Sequence, residues 1–296
     1  VNQPLDSIAS VLEETGEYRV LRRIAPFAPS PVQPDEPTFF GLILDTETTG
    51  VDFGQDEVIE LGIIKFEYGA SGRIYRVLES FNQLHQPSRP IPPEIARLTG
   101  ITDGAVAGQR IDDAAVGMLA ADAAVVIAHN ASFNRQMCER RWPVFAERNW
   151  ACSLNQVPWR EEGHEGLKLG YLLIDCGFFH HGHRAIDDCH ALLQLLARPL
   201  KVSGRLALSC LLETARKPTV RLWAEGSPIE TKDLLKAHSY RWSQRRRSWY
   251  IDLDEAQMEI ERTFLSETIF RRPVAHLPAD RFTARDRFSA RTNPEL

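Results

Sequence analysis

TFFGLILDTET, residues 38–48, is an apolar run that ends in two carboxylates, Asp45 and Glu47. Its composition and length predict a strand. Residues two apart on a strand share a face, so Asp45 and Glu47 point the same way. Two carboxylates held side by side repel unless cations neutralise them, which makes the pair a candidate metal site. Taken alone, the same residues also fit a turn with solvated acids.

Working outward, VIELGIIKFEY (58–68) predicts a second strand and GRIYRVLESFNQLH (72–85) a third, with a hairpin turn at Gly69–Gly72. PPEIARLTG (92–100) opens with prolines and stops at glycine, the punctuation of a helix. IDDAAVGMLAAD (111–122) reads as a helix, AAVVIAHN (123–130) as a buried strand and ASFNRQMCERRW (131–142) as a helix. DDCHALLQLLARPL (187–200) is a strongly apolar helix. An antiparallel start followed by alternating helices and strands predicts an α/β domain with a mixed sheet flanked by helices.

This main domain is expected over residues 37–200. Before it, residues 1–36 read as an appendage: a helix over 5–14, a short strand over 18–24, then Pro26, Pro29, Pro31, Pro34 and Pro37, a density that marks a linker. After it, residues 201–272 predict a small α+β module. It holds a strand at 220–226, a short helix at 229–239, a hairpin at 240–254 with the tip Gln244-Arg245-Arg246-Arg247, and a helix at 255–272. The tail, 273–296, has little periodicity and is expected to lie on the surface or to be disordered.

A hydrophobic fraction of 43% and a charged fraction of 25% place the chain among globular proteins, not disordered or membrane-spanning ones. The five cysteines are scattered, without CxxC spacing, which argues against a disulfide framework or structural zinc site and for a reducing, cytoplasmic setting. The net charge of −5 conceals an asymmetry. Residues 201–296 carry 18 basic and 13 acidic residues, whereas the rest is strongly acidic. The basic C-terminal part is the better candidate for touching a polyanion.

Asp188 stands one turn before Ala191, Leu192, Leu195 and Leu196, which must face the core, so its carboxylate is expected at the rim of the interior. His183 precedes it by five residues, in the loop leading to the helix. An imidazole with an ordinary pKa near 6.5 suits a general base. A solvent-exposed loop histidine, beside His180 and His181, fits the same position.

LDTETTG, IPPEIARLTGIT, IAHNASFN and HRAIDDCHALL, in that order over residues 38–200, resemble the successive motifs of the DEDDh family of 3′–5′ exonucleases. The family includes the proofreading epsilon subunit of bacterial DNA polymerase III. The resemblance implies an RNase H-like fold, two Mg²⁺ or Mn²⁺ ions about 3.5–4 Å apart, and release of nucleoside monophosphates from a 3′ end. It further implies that Asp45 bridges both ions, that Glu47 and Asp188 hold the ion carrying the attacking water, and that His183 takes that water's proton. The expected ligand is nucleic acid, single-stranded or at 3′ ends, with DNA favoured and RNA an alternative.

The departure is Asn134, where the family has aspartate. An asparagine carbonyl can ligate but brings no charge, and hard cations bind largely through ligand charge. The exchange is isosteric, so it reads as an inactivating one that keeps substrate binding; a module that binds 3′ ends or a partner without cutting fits the same residue. Around the motifs, Thr46, Thr48, Thr49 and Gly50 are expected to let the terminal sugar approach the backbone, and Leu98 and Thr99 resemble the segment near the terminal base. His129, Asn130 and Phe133 surround the second motif, with Phe133 read as core. In the C-terminal module, Arg245, Arg246, Arg247 and an outward Tyr250 are expected to contact nucleic acid. That module or the N-terminal appendage would also dock a protein partner, such as a polymerase if the chain is a proofreading subunit.

Overall fold

The protein is described here by a computed structural model that covers residues 3–33, 35–274, 276–293 and 295. The elements run α1 (Gln3–Glu14), β1 (Arg22–Arg23), β2 (Thr38–Thr48), β3 (Val58–Gly69), β4 (Ile74–Leu84), α2 (Pro93–Thr99), α3 (Asp103–Val106), α4 (Asp113–Ala121), β5 (Val125–Ala128) and α5 (Ala131–Arg141). There follow β6 (Trp150–Cys152), α6 (Ser153–Gln156), α7 (Leu169–Asp175), β7 (Phe178–Phe179), α8 (Ala185–Leu196) and α9 (Ala207–Arg216). The C-terminal part comprises β8 (Thr219–Trp223), α10 (Lys232–Ala237), β9 (Arg241–Ser243), β10 (Ser248–Asp254), α11 (Met258–Phe264) and β11 (Ala279–Phe282).

The central sheet has the order β4-β3-β2-β5-β6. β2 runs antiparallel to β3 and parallel to β5, so the sheet is mixed, as the alternation of elements predicts. Period-two alternation along β2 divides its side chains between two cores. Ile43 joins Ile64 and the α8 residues Leu192 and Leu195 on one face. Leu42 and Leu44 join Val116 of α4, Met137 of α5 and Trp150 on the other. β2 is thus covered on both sides, and its C-terminal end, bearing Asp45 and Glu47, emerges between α8 and α5.

Gly62 fixes how closely α8 lies on the sheet. A Cβ at this position would lie 2.5 Å from the carbonyl carbon of Ala185, so any other residue would push the start of the helix outward. Asp187 and Asp188 occupy the first turn of α8, where the helix dipole favours negative charge.

Three features differ from expectation. The strand expected at 18–24 contracts to β1, two residues paired parallel with the equally short β7. Helix α9, inside the stretch assigned to the C-terminal module, packs into the main core through Leu208, Leu211 and Ala215. Among its described residues the tail contributes a strand: β11 joins β8 to complete the C-terminal sheet β11-β8-β10-β9. Beyond it, the fully buried Arg135 of α5 donates to the carbonyls of Arg285 and Arg287, each at 2.7 Å, and Trp150 N–H donates to Ala284 O.

Candidate active site

The end of β2, the first turn of α8 and the first turn of α5 converge. Asp45, Glu47 and Asp188, all half-buried, offer ligand oxygens that lie within 4.8 Å of one another. Among the described residues this is the one cluster of acidic, histidine and cysteine side chains with spacing suited to a metal ion. Asn134 completes it from α5. Its Nδ2 donates to Asp45 Oδ1 at 3.1 Å, and its Oδ1 accepts the Thr46 hydroxyl at 2.7 Å.

The electrostatics follow from crowding. Desolvation, then the neighbouring Asp188 and Glu47 carboxylates, push Asp45 well above the usual carboxylate range, against the opposing Asn134 amide N–H. Glu47 is pushed up to about 8 by desolvation, then by Asp188 and Glu60, with Arg184 opposing. Three crowded oxygen donors, with the charged forms of Asp45 and Glu47 disfavoured, fit a hard divalent cation, which would relieve the repulsion. Asn134 fits such an ion less well, because its N–H₂ and not its carbonyl faces Asp45.

Glu60 was missed by sequence reasoning. It lies fully buried on β3, opposite Glu47 in register. Its carboxylate accepts two donors of Arg184 and the backbone N–H of Ala185, so it ties the start of α8 to the sheet. The signal was present: a glutamate inside VIELGII must find partners, since an unpaired buried charge is costly.

The other expected residues divide. Thr46 touches Asn134. The hydroxyls of Thr48 and Thr49 turn instead to Gly50 O and to Asp56, shaping the loop after β2. Gly50 is required by that loop: a Cβ there would lie 2.4 Å from the Asp56 carboxylate. Leu98 is 52% exposed, whereas Thr99 is buried and bonded to Ile95 O. Both ring nitrogens of His129 are engaged, by Ser153 Oγ and Leu167 O at 2.8 Å each, and desolvation lowers its pKa. Asn130 is exposed, and its carbonyl accepts the Asn134 backbone N–H. Phe133 packs on Phe53 at a centroid distance of 5.7 Å and against the core. His183 is exposed, with φ +65°, and only its backbone N–H reaches Asp188.

In the C-terminal module Arg245, Arg246 and Arg247 form the exposed hairpin tip. Arg246 lies over the Trp223 ring at 4.1 Å and pairs with Glu225. Tyr250 does not point into solvent as expected. It is buried, 6% exposed, between the guanidinium groups of Arg221 and Arg241. The sequence pattern put it on the face opposite the module's core, correctly, but arginines and the returning tail cover that face too.

The exonuclease family model (RNase_T) matches residues 42–196, more than half the chain. The chain is 25% identical over 187 residues to the DNA polymerase III subunit epsilon of Treponema pallidum, covering 60% of this chain and 83% of that one. It is 26% identical over 188 residues to the PolC-type DNA polymerase III of Thermotoga maritima, covering 58% of this chain but only 13% of that much longer protein. Among solved structures, E. coli Exonuclease I in complex with a dT13 oligonucleotide matches with a TM-score of 0.50 at 16% identity, over 84% of this chain and 64% of that one. That likeness concerns the fold, an RNase H-like mixed sheet with an additional C-terminal sheet. With the converging carboxylates, the matched motifs assign the chain: it belongs to the DnaQ-like 3′–5′ exonuclease family.

Proposed function

We propose that this protein is a metal-dependent 3′–5′ exonuclease whose hydrolytic step is impaired by Asn134. The observation that carries the reading is the meeting of Asp45, Glu47 and Asp188 with Asn134 hydrogen-bonded to Asp45. Asp45, Glu47 and Asp188 would hold divalent cations, Mg²⁺ or Mn²⁺, which when bound supply charge stabilisation and an activated water. His183, exposed in the loop ahead of α8, would accept that water's proton. Leu98, exposed on α2, would face the terminal nucleotide, while Phe133 serves the core. The substrate is nucleic acid with a free 3′ end, DNA over RNA, and the arginines of the hairpin tip would guide the strand through phosphate contacts.

Restoring the carboxylate tests this directly. Asn134→Asp should release mononucleotides from the 3′ end of a labelled strand in the presence of Mg²⁺ or Mn²⁺, and Asp45→Ala or His183→Ala in that background should abolish most of the release. A restored protein that stays inert with both metals sinks the enzyme reading.

A second reading has one observation in its favour. The Asn134 amide gives Asp45 a hydrogen-bond donor where a cation would otherwise be needed, which suits a module that binds 3′ ends without cutting. It requires tight end binding and no turnover in either version. A proofreading role beside a polymerase is the corresponding partner proposal, tested by co-purification.

A further inference from the structure

Three histidines, His180, His181 and His183, crowd the loop before α8. The side chain that reaches Asp188 is that of His180. Its Nε2 stands 2.7 Å from Asp188 Oδ1, with the two side chains only 8% and 16% exposed. The other carboxylate oxygen, Oδ2, accepts the backbone N–H of His183 at 2.9 Å. That residue adopts a left-handed backbone, φ +65°, a conformation most non-glycine residues avoid. The Asp188 carboxylate is thus gripped at both oxygens by the loop that leads into its own helix.

The loop has a fixed origin. His180 follows β7 directly, and β7 is pinned by β1: Arg22 N–H donates to Gly177 O at 2.9 Å and Ile24 N–H to Phe179 O at 3.1 Å. The N-terminal appendage therefore holds the strand from which His180 departs.

We infer that His180 is a positioning residue for Asp188, and that the loop divides two tasks between two histidines. His180 donates to one carboxylate oxygen and fixes the side chain's rotation; His183 stays unencumbered for proton transfer. A carboxylate has about four lone-pair sites. One N–H on each oxygen leaves room for a cation on the side facing Asp45 and Glu47. Hydrogen bonds of this kind orient a ligand before the metal arrives, and losing one typically weakens metal affinity about 10–100-fold. The inference rests on the metal-site reading above.

The test measures Mn²⁺ binding by titration calorimetry in the Asn134→Asp background, together with turnover at saturating Mn²⁺. His180→Ala should weaken Mn²⁺ binding about 10–100-fold while turnover at saturating metal recovers to within a few-fold of the parent. His180→Gln, which keeps an N–H donor near the Nε2 position, should regain much of the affinity. His183→Ala should do the reverse, leaving Mn²⁺ affinity in place and removing turnover. Unchanged Mn²⁺ affinity in His180→Ala overturns the inference while leaving the enzyme reading intact. Tighter binding overturns it too, because His180 would then be occupying the cation's place. A parent that binds no Mn²⁺ overturns the metal-site reading and this inference with it.

Discussion

Asn134→Asp should make the protein less stable without metal and more stable with it. Asn134 is 3% exposed, and its amide donates to Asp45 at 3.1 Å. The substitution removes that donor, a hydrogen bond to a charged group contributing about 1.5–3 kcal/mol. It also sets a second carboxylate against Asp45. Two unit charges 3.1 Å apart repel by roughly 5 kcal/mol at an effective dielectric of about 20. The site limits this by taking up a proton, so the expected loss in EDTA at about pH 8 is about 2–4 kcal/mol. For a chain of this size that is a melting point lower by roughly 3–6 °C. A bound cation removes the repulsion, and ligand at about 100 times Kd returns about 2.7 kcal/mol. Thermal unfolding of both proteins in EDTA and in excess Mg²⁺ or Mn²⁺ reads the crossover. Equal melting points in EDTA would mean that residue 134 does not face Asp45, and equal metal-induced shifts would mean that it takes no part in holding the cation.

Three further outcomes follow from the same geometry. The metal-free protein should lose stability as pH rises. Glu47 moves from 4.5 to about 8 on folding, so its favourable contribution is complete below about 4.5 and lost as pH climbs through about 8, with a slope of at most about 1.4 kcal/mol per pH unit; urea unfolding in EDTA that stays flat or gains stability across this window refutes it. Gly62→Ala should displace the start of α8, because the new methyl meets Ala185 backbone at 2.5 Å; a destabilisation of about 1–3 kcal/mol with weakened Mn²⁺ binding is expected, and an unperturbed melting curve contradicts it. Arg135→Met should free the tail, since it keeps much of the volume but strands the Glu139 carboxylate and the carbonyls of Arg285 and Arg287; a loss of about 3–5 kcal/mol and early proteolytic cleavage after β11 are expected, and an uncleaved tail would count against the clamp.

The parts of this molecule legible in the sequence are those governed by short-range periodicity. TFFGLILDTET is β2 to the residue, because an alternating run puts two carboxylates on one face however the rest of the chain folds. The apolar face of α8 and its acidic first turn were likewise readable from local spacing. What escaped depends on segments far apart in sequence. Arg135 sits among the charged residues of NRQMCERR and looks like surface, yet it is buried by a tail some 150 residues later, which nothing local announces. Tyr250 was placed on the correct side of its strand, but alternation cannot say that a returning segment covers that side. In the histidine loop the sequence assigns His183 the proton-accepting role and gives His180 none, although His180 Nε2 lies 2.7 Å from Asp188. Spacing places His183 in the loop ahead of Asp188; only the loop's path shows that His180 bonds the aspartate.

These long-range contacts bear on how an unneutralised acidic site persists in the fold. Asp45, Glu47 and Asp188 repel, and repulsion alone would spread β2 and α8 apart. The opposing contacts come from groups placed around the three acids. Glu60 takes the Arg184 guanidinium and the Ala185 N–H, Gly62 lets the helix lie against the strand, and His180 holds Asp188 from behind. Each acts at the start of α8 or on the strand beneath it. Asn134 adds a donor on the remaining side, through Asp45. An aspartate there would raise the demand for a cation; the asparagine lowers it. If the amide that makes the metal-free site tolerable also weakens the pull on the metal, gain in apo stability and loss of hydrolysis should appear together in residues here that donate a hydrogen bond to Asp45.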